Sequence, residues 1–306
     1  MTQADFPLPS GSVPSWRAVL ELSKPVTWFA AMWAFGCGVI SAGLPVGDRW
    51  LHIIGGILLA GPLVCAASQA VNDWFDRHVD ALNEPKRPIP SGRIPGRWGL
   101  YIALGWSAAA LVVGALLGPW AFAAGVVGIA LAWAYSAPPF RLKLNGWWGN
   151  AAVAFSYEGL AWFTGAAVIM GTLPGPWIVA AAVLYSVGAH GIMTLNDFKA
   201  IDGDVRMNVR TLPVQLGAAR AATLACAVMA GAQLLVIAGL VLIGLPLAAG
   251  IVTGLLAVQV VLMRTLLRDP RGKAPWYNAT GTSLYVLGML VTAIALGSIE
   301  GGPPWP

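Results

Sequence analysis

Charge is what this chain most lacks. Only 10% of its 306 residues are Asp, Glu, Lys or Arg, against about a quarter in an ordinary soluble domain. With 58% of the residues hydrophobic, a water-soluble globule is excluded. Cysteine is scarce too. Cys37, Cys65 and Cys226 lie inside apolar segments with no paired spacing, so they read as buried structural thiols rather than a disulfide framework or a thiolate metal site. A cleavable-signal pattern is also missing. Residues 1–25 are polar and proline-rich, carry Arg17, Glu21 and Lys24, and are expected to form an interfacial arm.

What is present instead is a series of long apolar runs, roughly 26–45, 51–71, 98–117, 119–137, 148–170, 176–195, 220–243, 246–264 and 279–299. Each is long enough to cross a ~30 Å hydrocarbon layer as a helix. The expected fold is all-α: a polytopic membrane protein of about nine transmembrane helices, forming one domain over 26–299 with a short tail at 300–306. All the basic residues except Arg49 fall in alternate connections. Arg17 and Lys24 precede the first run, and Arg77, Lys86, Arg87, Arg93 and Arg97 follow the second. Arg141 and Lys143 follow the fourth, Lys199, Arg206, Arg210 and Arg220 the sixth, and Arg264, Arg268, Arg271 and Lys273 the eighth. This positive-inside pattern places the N-terminus in the cytoplasm and the tail outside. Basic residues flanked by membrane helices make no nucleic-acid footprint, so no nucleic-acid partner is expected.

The acidic residues gather in two of those same connections. The first group reads NDWFDRHVD over 72–80 and the second NDFKAIDGD over 196–204. Asn72 and Asn196, Asp73 and Asp197, and Asp80 and Asp204 are each 124 residues apart, with Trp74 and Phe198 in register. Both groups lead into a loop containing Arg and Pro, so the chain reads as two pseudo-repeat halves, about 26–137 and 148–264, plus one extra helix. At 3.6 residues per turn, Asp73, Asp76 and Asp80 share one helix face. Three carboxylates so close repel one another unless cations occupy the face. An all-oxygen donor set selects a hard ion such as Mg²⁺, which keeps coordination positions free for substrate phosphates. Two such faces brought together imply a diphosphate held between them by metal, with nearby Lys and Arg as counter-charges. The register departs at one point: Ala200 stands opposite Asp76, and Asp202 appears off the shared face, where it supports the metal site indirectly or joins it through a kink at Gly203.

These motifs, with YSAPPFRLK at 135–143, resemble the UbiA superfamily of intramembrane prenyltransferases over about residues 16–299. The segments ELSKPVTWFAAMWAFGCGVISAG, EPKRPIPSGRI and NDFKAIDGDVRMNVRTLPVQLG look like its chlorophyll and bacteriochlorophyll synthase branch, and the wording of the first span like the bacteriochlorophyll subgroup. The resemblance implies geranylgeranyl or phytyl diphosphate as donor and the propionate of a (bacterio)chlorophyllide as acceptor, in a bacterial inner or photosynthetic membrane. Association with other pigment-biosynthesis or photosystem-assembly proteins is compatible with it. A carboxylate acceptor is already ionised near neutral pH and needs no general base. The expected Mg²⁺ ligands are Asp73, Asp76, Asp80, Asp197 and Asp204, with Asp202 beside them and Asn72 and Asn196 as supporting or orienting groups.

Lys86, Arg87, Lys199, Arg206 and Arg210 either neutralise phosphate or simply obey the positive-inside rule. Tyr135, Ser136, Arg141 and Lys143 form a second phosphate-side group or an interfacial anchor. Glu158, the one carboxylate deep inside a run, binds the acceptor or is protonated and bonded between helices. His190 either ligates the macrocycle's central magnesium or is a hydrogen-bonded bundle histidine. Trp33, Trp133, Trp162, Phe155 and Tyr157 line a prenyl tunnel or pack the core. The rival readings are a quinone-ring or haem prenyltransferase of the same superfamily and an ion-coupled transporter. Transporter sites favour the bilayer midplane, whereas both acidic groups here lie at the ends of spans.

Overall fold

The computed structural model describes residues 13–300, which contain no β-strand. Eight helices are long and apolar enough to cross a membrane. With the shorter helix α1 (Trp28–Ser41) before them, they are α2 (Gly47–Asn83), α3 (Trp98–Leu117), α4 (Pro119–Ser136) and α5 (Gly146–Met170). The remainder are α6 (Pro176–Arg206), α7 (Ala218–Leu242), α8 (Pro246–Arg268) and α9 (Pro270–Glu300). Nine helices of fourteen residues or more are therefore present among the described residues, but the first does not meet the expectation of a full span. Its 14 residues reach about 21 Å, because the run at 26–45 opens in a tight turn at Pro25–Thr27. Short helices at Trp16–Leu22 and Leu212–Leu216 lie in the connections.

Punctuation in the sequence accounts for the boundaries. Pro119, Pro176 and Pro246 open α4, α6 and α8 at their first turns, where a missing N–H costs nothing. Gly118 (φ 118°) makes the one-residue joint between α3 and α4, a conformation that side chains resist. Two helices are re-registered within the bundle. α2 widens into a π-helical stretch at Leu59–Cys65, which holds Pro62 and its missing donor, and α5 does so at Phe155–Leu160.

Helices α2, α3 and α4 pack on one another, and α6, α7, α8 and α9 form a second group, with α1 and α5 between them. The largest core runs through α1 and α5–α9. At its centre Trp162 stacks on Tyr185 at 5.6 Å, and Tyr285 meets Tyr185 edge-on at 5.3 Å. Each ring's polar atom is used where the rings are buried: Trp162 donates to Ser41 Oγ (3.1 Å), Tyr285 to the Tyr185 carbonyl (2.7 Å), and Tyr185 pairs with Thr292 Oγ1 (2.8 Å). α1 and α5 touch backbone to backbone. A Cβ on Gly38 would lie 2.0 Å from the Trp162 carbonyl, and one on Gly165 2.0 Å from that of Phe35. Small residues at helix crossings of this kind let van der Waals packing act where no hydrophobic drive exists. Leu116, Leu242 and Leu247 are exposed on the outside, which suits a lipid-facing surface.

Candidate active site

Both acidic groups sit at the same end of the bundle, and the fold surrounds them with the loops predicted to be basic. Asp73, Asp76 and Asp80 continue α2 as one unbroken helix, which keeps them on one face. Each holds a cation. Lys24 Nζ lies 2.8 Å from Asp73 Oδ1, Arg87 bonds Asp80 at 2.9 Å and approaches Asp73 at 3.6 Å, and Lys143 bonds Asp76. Asp73 is 1% exposed, and its second oxygen has no hydrogen-bond partner. Asn72 orients the face by donating to Asp76 (3.1 Å) and to Ser136 Oγ (3.2 Å), which ties α2 to the end of α4. Burial pulls the Lys143 ammonium below its usual range, and the Asp76 charge pulls it back. Burial also opposes the Arg87 charge, but Glu84, Asp80 and Asp73 outweigh it and raise that guanidinium.

The second group is built differently. α6 leaves α-helical geometry after Asn196, passes through a 3-10 turn at Asp197–Ala200, and resumes at Ile201–Arg206. Asp197 and Asp204 face inward and take neutral donors, Asn150 Nδ2 at 3.0 Å and Thr211 Oγ1 at 3.1 Å respectively. The break falls ahead of Gly203, not at it, so it does not swing Asp202 into the site. The Asp202 side chain is 81% exposed and faces only Arg271, at 3.6 Å, which corrects its expected place beside the ligands. Asn196 also departs from Asn72: it is exposed and accepts from Asn278 of α9 (2.8 Å) instead of orienting a carboxylate.

The two groups meet around residues 143–150, where Lys143 bonds Asp76 and Asn150 donates to Asp197. The connections are stitched there as well. Gly146 N donates to the Arg210 carbonyl (2.8 Å), and Arg210 N to the Leu144 carbonyl (3.0 Å). Lys24 and Arg141 both adopt left-handed backbone (φ 43° and 42°), a strain of about 1–3 kcal/mol each that the packed loops must hold. Arg141 is half-buried with an unpartnered Nε. Lys86, Lys199, Arg206 and Arg210 are exposed, and among the described residues their side chains make no ion pair. A clasp closes the connection over this end: Arg93 grips Glu21 with two nitrogens and donates to the Lys86 carbonyl (2.6 Å). The Arg93 hydrogen bonds hold the Glu21 carboxyl below its ordinary range.

Two functional neighbours escaped the sequence reading. Lys24 was assigned to the arm, although a lysine directly before a span could have flagged it. Asn150 carried the only signal available, a carboxamide inside an apolar run. Other expectations resolve toward packing. His190 bonds the Trp147 carbonyl (3.2 Å), and Trp133 bonds Ser107 (3.1 Å). Trp162 is core, and Tyr157 lines a cavity. Glu158 is buried in the π-helical stretch of α5, with one oxygen unpartnered.

Beneath Tyr135 opens an apolar cavity lined by α1, α2, α4 and α5, with Tyr157 and Ser68 among its few polar groups. An acidic, cation-lined mouth over a dry shaft is the arrangement expected of an enzyme that handles a charged head on an apolar tail. A model of the UbiA prenyltransferase family matches residues 25–296. The chain belongs to that family.

Within the UbiA family, the chain is 60% identical over 289 residues to the bacteriochlorophyll synthase 33 kDa chain of Cereibacter sphaeroides, covering 94% of this chain and 96% of the relative. The chloroplastic chlorophyll synthase of Oryza sativa subsp. japonica is 39% identical, over 92% of this chain and 77% of the relative. A UbiA homologue from Archaeoglobus fulgidus, solved bound to GPP and Mg²⁺, superposes with a TM-score of 0.74 at 20% identity, over 92% of this chain and 99% of that one. That likeness shows the fold alone. The apolar helices and this fold together make the chain an integral membrane protein.

No three acidic, histidine or cysteine side chains among the described residues form a ready-made metal cage. The donor set nonetheless fits Mg²⁺. It consists of oxygens only, includes the unpartnered Asp73 Oδ2, and offers pairs of carboxylates of the kind this ion uses when substrate phosphates complete its shell.

Proposed function

We propose that this enzyme esterifies the propionate of a bacteriochlorophyllide with geranylgeranyl or phytyl diphosphate, releasing diphosphate. The observation that carries the reading is the meeting of the two aspartate groups around residues 143–150, where Lys143 bonds Asp76 and Asn150 bonds Asp197, next to the apolar cavity that Tyr135 lines. The acceptor class is taken from the named relatives, which are bacteriochlorophyll and chlorophyll synthases.

The acceptor's carboxylate oxygen forms a bond to C1 of the allylic donor, while the C1–O bond to diphosphate breaks and its electron pair leaves with the diphosphate. No proton is transferred, which agrees with a site whose nearest groups are carboxylates and cations rather than a free base. Magnesium bound to the aspartates would neutralise the leaving diphosphate. Asp73, Asp76, Asp80, Asp197 and Asp204 would hold the ion and so position the head group. Lys24, Arg87 and Lys143, already poised on the first three carboxylates, supply positive charge next to the phosphates. The cavity takes the tail and keeps water from the allylic centre. The distribution of Lys and Arg supports a site facing the cytoplasm, and the bacteriochlorophyll synthase relatives support a bacterial inner or photosynthetic membrane.

The test is a detergent assay of geranylgeranyl diphosphate with bacteriochlorophyllide, chlorophyllide and a quinone precursor, with and without Mg²⁺, and Asp73→Ala as control. Mg²⁺-dependent esterification of a bacteriochlorophyllide, lost in the variant, is expected. Prenylation of the quinone precursor alone would sink the acceptor assignment.

A further inference from the structure

The cavity beneath Tyr135 does not end at its first floor. A second apolar pocket adjoins it, reaching Ala124, Gly125 and Thr164, and the two share Ala60, Val64, Gly128 and Ser156 as common wall. These shared residues make a waist. α2 and α5 reach it through their π-helical stretches, with Ala60 and Val64 from one and Ser156 from the other. On the α4 side the shared wall is Gly128, which puts no side chain between the two pockets, and we take this gap as the passage from one to the other. A Cβ there would meet Val64 Cγ1 at 3.6 Å and Leu160 Cδ1 at 3.9 Å, which is ordinary contact. Any atoms beyond that Cβ would enter the passage.

The lengths match an isoprenoid measured in units. Gly128 lies seven residues, about 10 Å, along α4 from Tyr135, and Ala124 eleven residues, about 16 Å. Each isoprene unit adds four chain carbons, about 5 Å at C–C bonds of ~1.5 Å. A two-unit tail therefore ends at the waist, and a four-unit tail has to pass it into the lower chamber. Resting on the prenyl-transfer reading above, we infer that the absence of a side chain at Gly128, with Gly125 one turn further down, sets the donor length this enzyme accepts. Gly128 is thus a specificity residue for the far end of the donor, remote from the reacting atoms.

The experiment measures kcat/KM for geranyl and geranylgeranyl diphosphate, with bacteriochlorophyllide and Mg²⁺, in the wild type and three full-length variants. Gly128→Leu fills the waist. Gly125→Leu fills the lower chamber and starts from a Cβ with nothing within 4 Å, so it tests the inference without crowding the core. Gly105→Leu, on the exposed face of α3 and likewise uncrowded, is the control. The ratio of geranylgeranyl to geranyl transfer is expected to fall at least tenfold in the first two variants and to stay at the wild-type value in the control. Equal losses for both donors, or an unchanged ratio in Gly125→Leu, would overturn the inference while leaving prenyl transfer standing. Failure of the wild type to transfer either donor would instead refute the reading on which the inference rests.

Discussion

Lys24 offers the sharpest single perturbation of the site. Its ammonium is 2.8 Å from Asp73, the most buried carboxylate of the first group, and the two side chains are 27% and 1% exposed. A hydrogen bond to a charged group contributes about 1.5–3 kcal/mol. Because a quarter of the lysine meets solvent, the lower end applies, and Arg87 at 3.6 Å remains to offset part of the loss. Lys24→Met keeps the stem and the left-handed backbone but removes the charge, so about 1.4 kcal/mol, or tenfold in kcat/KM, is expected. Asp73→Asn should cost about a hundredfold or more, as expected for a group that helps hold the leaving charge. The two residues touch, so their effects should not add: the double variant should fall no more than about twofold below Asp73→Asn alone. Initial rates in detergent, with thermal melts to confirm folding, complete the cycle. Strict additivity, or a Lys24→Met enzyme within twofold of wild type, would show that the lysine is only an interfacial anchor.

Two further substitutions test the rest of the reading. Asn150→Leu removes the hydrogen-bond donor of Asp197 and should raise the Mg²⁺ concentration for half-maximal activity about tenfold or more, whereas Asp202→Ala should leave the Mg²⁺ titration unmoved; the reverse order would mean that the inward and outward carboxylates have been misassigned. In the core, Gln233 and Gln259 are fully buried and exchange two amide bonds of 3.2 and 2.9 Å between α7 and α8. Gln233→Leu strands the facing amide at a cost of about 1–2 kcal/mol, and adding Gln259→Leu should recover part of it, so the double variant should melt above either single one.

How much of this was legible beforehand depended on whether a feature was local. The apolar runs, the prolines that open α4, α6 and α8, and the helical spacing of Asp73, Asp76 and Asp80 are properties of short segments, and the helices and the first acidic face follow from them. The shortness of α1 was hidden because composition marks where apolar residues are, not where Pro25 turns the chain. The partners of the carboxylates were less legible still. Lys24 is 49 residues from Asp73 and Lys143 is 67 from Asp76, and no period in the sequence joins them. The π-helical stretches escaped for a related reason: Pro62 marks one, but nothing local marks Phe155–Leu160.

The 124-residue register conceals a division of labour that only the partners expose. In the first group every aspartate is matched by a cation: Lys24, Lys143 and Arg87 stand against Asp73, Asp76 and Asp80. In the second, Asp197 and Asp204 are held by an amide and a hydroxyl, which orient a carboxylate without cancelling its charge. A divalent ion binding to this second pair would have no bonded ammonium to displace. At the first group, a metal–phosphate unit arriving together would let the cations turn from carboxylate to phosphate without being returned to water. The duplication therefore supplies two carboxylate faces. Their surroundings, contributed by the stretch before α1, by α5 and by the connections around 87, 143 and 211, give the first face three cations and the second only neutral donors.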